Sequence, residues 1–304
     1  MVKSWKQGDS YVLEKRKDYN WGPGSARPHR PPARLDTITY KVIKDTSVRT
    51  STVVSGQADV AFNVEPPQEI ESLKAQGFTV GTPRYLGFVD GFQVNTQTFP
   101  PTNDPAVRKA IQHGIDRDEI LKTVYTSDWN AATTFIQGNV PEAGQFSDTF
   151  KFDADKANKI LDDAGWASGS DGYRSKDGKT LEITLTPNPY VPSTKAEDEL
   201  IAQQLKKVGI KVNLKVVDVA GYAAVQASKP PLFQTSRSFV DVGTVAGVLT
   251  SQNKGEDWFG LGTSDQKLND LSTAIATASD RASREKVADE LQQYVLEQGY
   301  FIPP

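Results

Sequence analysis

Cysteine is absent from all 304 residues. Thiol catalysis, thiolate metal ligation and disulfide cross-links are therefore excluded together. Histidine occurs only as His29 and His113. Neither has a second histidine, cysteine or glutamate at metal-ligand spacing, so both read as surface residues and no metal or other cofactor is expected. No run approaches the ~18 apolar residues that a membrane span requires. The opening MVKSWKQGDS has no apolar stretch of the kind an export signal carries. The formal charge of −3 gives no general attraction to nucleic acid or to an anionic membrane.

Catalytic signatures are missing as well. The chain has no G-x-S-x-G elbow and no H-E-x-x-H. Gly172–Thr180 approaches a phosphate-binding loop, but five residues separate its glycines where that motif needs four. It also leads into a strand instead of a helix, so a charged hairpin turn is the expectation. The acid pairs Asp153/Asp155 and Asp162/Asp163 fall at helix starts and on solvated faces. Nothing assembles a nucleophile, a base and an oxyanion donor, so the chain reads as a non-enzyme. The alternative is a hydrolase or transferase using carboxylates on an α/β scaffold.

Hydrophobic residues make up 37% and charged residues 24%, a soluble globular composition long enough for two domains or one large one. Residues 1–90 read as β-rich with two short helices. Val2–Trp5 and Tyr11–Lys15 are strands around the turn Gln7-Gly8-Asp9, and Ile38, Tyr40 and Val42 alternate in another. The proline- and glycine-rich stretch Asn20–Arg34 excludes regular structure. Thr46–Ser55 and Pro67–Gln76 read as helices, with Ala61–Asn63 and Phe78–Val80 as short strands flanking the second.

From about Gly91 helices and strands alternate. Asp104 can cap a helix, with Pro105 in its first turn. Val107, Ala110, Ile111, Gly114 and Ile115 then recur at helical spacing. One residue later Asp116, with Glu119 three positions on, starts a second helix in the manner of a capping box. Ala157, Ile160, Leu161 and Ala164 line another helix that Gly165 ends. Leu181–Thr186 and Val212–Val219 alternate as strands. The helix between them begins at Thr194 with Glu197 and carries Ile201, Leu205 and Val208. Strand, helix, strand predicts a βαβ unit with both strands in one sheet.

The segment Phe92–Tyr125, with its pattern N…PP…D-x-x-V-R-x-A-I-x-x-x-I-D-R-x-x-I, resembles the signature of the peptide-type (family 5) solute-binding proteins of bacterial ABC importers. Tyr11–Tyr19, Leu35–Ala61, Phe152–Gly165, Asp171–Leu185 and Leu268–Pro303 are similar to further segments of that family, in the same order. The resemblance implies an α/β, two-lobed, periplasmic-binding-protein-like fold. Residues 1–90 would be part of the first lobe, 91–298 the second lobe, and 299–304 the start of the return. In the family a substantial N-terminal portion precedes the Tyr11 segment, so the chain is expected to be a fragment.

The function so implied is extracytoplasmic capture of a small solute, a peptide first among the candidates, with lobes closing over it and a membrane permease as partner. A receptor of the same fold for an oligosaccharide or a metal complex is the neighbouring alternative, and a monomer is expected. Peptide-binding members hold the ligand's α-ammonium with an aspartate in a W-x-x-D-x-x-D-P loop. The matching segment is Arg237–Val245, where Asp241 aligns with that aspartate, while Ser238 replaces the tryptophan and Thr244-Val245 the Asp-Pro. Arg237 is then a candidate carboxylate partner and Phe239 an apolar wall. Tyr222, read as a loop residue, and Trp258 are further aromatic candidates, and Asn95 lies at the expected lobe crossing.

Overall fold

The computed structural model describes residues 1–19, 33–81, 87–96, 101–126, 129–250 and 265–304. His29, most of the Asn20–Arg34 stretch and Trp258 lie outside the described residues. Internal contacts divide the chain into two compact units, Met1–Ile70 and Glu71–Pro304.

In the first unit β1 (Val2–Lys6), β2 (Ser10–Glu14) and β3 (Thr37–Lys41) form an antiparallel sheet in that order. The turn between β1 and β2 holds Gly8 at φ +70°, a conformation glycine adopts without steric cost. Trp5 pairs with Tyr11 and Tyr11 with Tyr40, so these rings share one face. Phe62 stacks on Tyr40 with ring centroids 6.4 Å apart. All four rings are exposed, and β1 and β3 are exposed along their whole length. Helix α1 (Thr46–Val54) starts where Asp45 accepts from the Val48 N–H, and Gly56 follows it at φ +72°. Ala61–Asn63 is not the strand its composition suggested. Asn63 turns to φ 54°, which breaks an extended run.

Helix α2 (Gln68–Ala75) lies across the division between the units. Phe78–Val80, beyond it, forms no strand among the described residues.

The second unit is built on β4 (Gly91–Val94), buried along its whole length. It pairs antiparallel with β10 (Leu232–Thr235) on one side and β11 (Phe301–Ile302) on the other. As predicted, β8 (Glu182–Leu185) and β9 (Lys211–Leu214) pair in parallel around α6 (Thr194–Lys207). β9 stops at Leu214, short of the predicted Val219, and Val216 is exposed. The Asn188 N–H donates to Gln234 Oε1 at 3.3 Å, which sets the end of β8 beside the end of β10. The expected hairpin is present as β6 (Arg174–Lys176) and β7 (Lys179–Thr180), with Asp177 and Gly178 both at positive φ, as a tight hairpin turn requires. With β5 (Ala167–Ser168) they make a small three-stranded sheet.

Two apolar cores flank β4 and β11. Phe92, paired with Ile302, joins α3 (Pro105–Gly114), α5 (Ala154–Asp163), α6 and β8 in one. Phe301 enters the other with Phe88, Phe135, α8 (Val242–Leu249), α9 (Gln266–Thr277) and α10 (Arg281–Gln298). Between them the two cores hold most of the unit's apolar burial, at roughly 25 cal/mol per Å².

Asp104 caps α3 as expected, accepting from the Ala106 N–H at 2.9 Å. Two residues, Ile115 and Asp116, separate it from α4 (Arg117–Thr123), where one was expected. Asp116 caps α4 by accepting from the Glu119 N–H at 3.0 Å. Glu119 does not close the box. The Gln204 side chain does, accepting from the Asp116 N–H at 3.0 Å and donating to Glu119 Oε2 at 2.8 Å.

The two arginines of the signature face inward. Arg108 donates to the carbonyls of Thr102, Asn103 and Gln298, and Arg117 to those of Gln112, Ile115, Phe150 and Pro303. His113, expected at the surface, is buried with Nδ1 2.7 Å from the Lys151 carbonyl. Burial and the neighbouring cations outweigh that hydrogen bond and hold its pKa below the ordinary value. The ring is therefore neutral and donates from Nδ1.

Candidate functional site

β10 runs antiparallel to β4, with Thr235 opposite Gly91. The chain entering β4, the chain leaving β10 and the chain leaving β8 therefore meet at one edge of the sheets. In open α/β sheets ligands gather outside the carboxyl ends of the strands. At this edge stand Gly87–Asp90, Thr186–Ser193 with the start of α6, and Ser236–Asp241.

Arg237 and Ser238 are held by backbone pairing. The Phe88 N–H donates to the Arg237 carbonyl at 2.9 Å, and Gly87 bridges Ser238. Gly87 sits at φ +142°, and a Cβ there would lie 1.8 Å from the Arg237 carbonyl oxygen, so only glycine permits the approach. Phe88, Gln137, Ser236, Arg237 and Ser238 line a hollow of about 170 Å³. Phe239 packs edge-on against Phe88 with centroids 5.2 Å apart.

Asp241 caps α8. Its Oδ1 accepts from the Thr244 N–H at 3.0 Å and faces Arg284 Nη2 at 2.9 Å, while Oδ2 accepts from the Thr244 hydroxyl at 3.2 Å. Burial works to raise its carboxyl. The Thr244 donors and Arg284 outweigh that and hold it below the ordinary aspartate range. Arg284 also binds Glu142 at 2.9 Å.

Tyr222 is not in a loop. It lies in α7 (Val219–Ala227), buried, with its ring on Phe233 at 4.8 Å and its hydroxyl donating to the Gln234 carbonyl. The structure thus gathers Arg237, Phe239, Asp241 and Tyr222 around the end of β10. Asn95 is placed apart, at the opposite end of β4. It is buried there, and its side chain donates to the Lys229 carbonyl at 2.8 Å.

One group at the same edge escaped the sequence reading. Glu197 and Asp198 lie in the first turns of α6, both buried. The Tyr125 hydroxyl donates to Glu197 Oε2 at 2.5 Å, and Gln234 Nε2 to Oε1 at 3.1 Å. Asp90 approaches from the entry to β4. Both carboxyl oxygens of Asp90 and both of Asp198 are buried without a hydrogen-bond partner. Burial pushes Asp90 up to about 7. Burial and then the Asp90 charge push Asp198 up to about 8, and raise Glu197 well above the carboxylate range. The signal in the sequence was phase: Glu197 and Asp198 precede Ile201, Leu205 and Val208 at helical spacing, so they occupy the apolar face. Elsewhere a larger hollow of about 850 Å³ is lined by both signs of charge, among them Asp116, Glu119, Lys122, Lys151 and Lys207.

The family model of bacterial extracellular solute-binding proteins, family 5 Middle, matches residues 1–259. The chain belongs to this family. The oligopeptide-binding protein AppA of Bacillus subtilis is 30% identical over 234 residues, covering 75% of this chain and 40% of AppA. Among solved structures, NikA from Brucella suis in complex with Fe(III)-EDTA superposes with a TM-score of 0.80 at 26% identity. That match covers 99% of this chain and 60% of NikA. AppA in complex with a nonapeptide gives 0.78 at 24% identity, covering 99% of this chain and 58% of AppA. The family 5 chain therefore has the α/β, periplasmic-binding-protein-like fold, and spans 40 to 60% of the length of these relatives.

Proposed function

We propose that the chain is part of the solute-binding component of an ABC importer, acting outside the cytoplasm and capturing a peptide without chemically changing it. The observation that carries this reading is the family 5 match, joined by likeness to the oligopeptide-binding protein AppA. In the complete protein residues 1–90 belong to the first lobe and 91–298 to the second. Residues 299–304 lead back, with Phe301–Ile302 as the last strand of the second lobe. Closure of the lobes buries the solute, and a monomer presents the closed form to its permease.

The ligand groups proposed on the second lobe are Asp241 for an ammonium, Arg237 for a carboxylate or main-chain carbonyl, and Phe239, Tyr222 and Trp258 as apolar walls. Asn95 acts at the crossing. Asp241 meets an ammonium at the cost of competing with Arg284, so its contribution depends on that side chain yielding.

The test is thermal unfolding of the full-length protein with a peptide pool, followed by mass spectrometry of the recovered pool. A raised midpoint with every peptide returned intact supports the reading. Cleaved or modified peptides would establish an enzyme instead. Stabilisation by oligosaccharides or metal chelates, and not by peptides, would move the assignment to those solutes.

A further inference from the structure

Arg284 divides one edge of its guanidinium between two acids. Its Nε donates to Glu142 Oε1 at 2.9 Å, and its Nη2 to Asp241 Oδ1 at 2.9 Å. Those two N–H groups lie side by side and can grip a single carboxylate through two parallel hydrogen bonds. Split between two acids, they leave Glu142 Oε2 buried with no hydrogen-bond partner. A buried carboxylate oxygen without a donor is unfavourable, so a better seat for Nη2 stands beside the one it occupies. Nη1 donates to the Ile275 carbonyl at 3.0 Å, which holds the far side of the group in place.

Charge points the same way. Two carboxylates share one guanidinium, and among the described residues neither has a second ion-pair partner. Arg281, the other cation whose charge meets Glu142, is paired with Glu285 at 2.6 Å. One negative charge is therefore left over. Access decides where a further cation can meet it: the Asp241 side chain is 36% exposed and that of Glu142 only 11%. Glu142 is also tied to the helix that carries Arg284. Gln292, on α10, donates to the Glu142 carbonyl at 2.8 Å, whereas Asp241 belongs to α8. Gly243 admits the guanidinium beside Asp241, since a Cβ there would stand 2.9 Å from Nη2.

We propose that Arg284 holds Asp241 in place of the solute's ammonium before binding, and passes wholly to Glu142 when a cationic solute enters. Arg284 is then a positioning residue that sets affinity, and Glu142 is its second seat. The inference rests on the reading above that Asp241 receives an ammonium. The entering ammonium takes Asp241 and Nη2 turns onto Glu142 Oε2, so two cations and two carboxylates end matched. Neither Arg284 nor Glu142 touches the solute.

Calorimetry of Ala-Phe-Ala, with its free amino terminus, on the full-length protein reads the exchange as two changes of opposite sign. Glu142→Gln removes the charge of the second seat and should weaken the peptide about fivefold, the low end of measured site-to-site couplings. The double variant Arg284→Met/Glu142→Gln removes the competitor as well, and should bind the peptide more tightly than the parent does. A merely structural pair would give weaker or unchanged binding in both variants, and that result would overturn the inference. Asp241→Ala separates this from failure of the underlying reading: if it leaves the peptide's affinity unchanged, Asp241 holds no ammonium. The crystal structure of Asp241→Ala decides the exchange without any solute. Nη2 within hydrogen-bond distance of Glu142 Oε2 is the expected result, and Nη2 left in its present place or turned to solvent would overturn the inference.

Discussion

Arg284 Nη2 lies 2.9 Å from Asp241 Oδ1, on the carboxylate that caps α8. Both Asp241 oxygens are thus engaged before any ligand arrives. Asp241→Ala should destabilise the fold by about 1 kcal/mol or somewhat more, through loss of the cap and the ion pair. Urea unfolding measures this. If the arginine gives way to a desolvated ligand ammonium, the same substitution weakens a peptide with a free amino terminus by roughly 2–5 kcal/mol and spares its N-acetylated form. Equal losses for both peptides would make Asp241 a structural cap only.

Arg117 donates to four carbonyls, two of them in the distant segments at Phe150 and Pro303. Hydrogen bonds to charged groups contribute about 1.5–3 kcal/mol each. Arg117→Met should cost more than about 3 kcal/mol, by stranding buried carbonyls around the C-terminal strand. Arg117→Lys should recover only part, because an ammonium cannot reproduce the fork. Chemical denaturation with a probe near Phe301 checks both.

Much of the second unit was legible because its apolar residues keep period. The stripe on α3, the alternation in β8 and the capping aspartates 104, 116 and 153 each follow local rules, whereas the helix that Asp241 caps was not expected. What was not legible depended on long-range partners. His113 is buried because the chain at Lys151 folds over it, and Gln204 replaces Glu119 in the cap because α6 packs against α4. Tyr222 reads as a loop residue because its small neighbours give little helical period. Asn95 and Asp241 are separated by the length of β4, a distance that resemblance along the sequence does not convey. The carboxyl cluster was overlooked because Glu197, three residues after Thr194, invites a capping interpretation.

The cluster has a consequence for pH. Asp90 and Asp198 rise from an ordinary 3.8 to about 7 and about 8. Between those values and 3.8 the folded chain holds protons that the unfolded chain has released. Stability is therefore fullest below about pH 4 on their account and falls as pH rises to about 8, by up to about 1.4 kcal/mol per pH unit for each group. His113 acts in the opposite direction, since its depressed pKa favours unfolding as pH falls through its ordinary 6.5. Comparing the parent with Asp198→Asn removes that contribution. The variant should gain stability relative to the parent from pH 5 to pH 8. A constant difference across that range would show that Asp198 is ionised in the folded chain.

Gly87→Ala tests the approach of β4 to the Arg237 loop. A Cβ would meet the Arg237 oxygen at 1.8 Å and the backbone is at positive φ, so the loop must move. The loss should exceed about 1 kcal/mol, and the rates of ligand association and release should change with it. A fully retained unfolding midpoint with unaltered binding would contradict the described pairing.

The most direct measurement is native mass spectrometry of the full-length protein purified from its own host, with the carried solute released and sequenced. A defined mass increment is expected, accounted for by intact peptides and reduced by Asp241→Ala. A protein that carries nothing, and takes up no peptide when offered one, would contradict it.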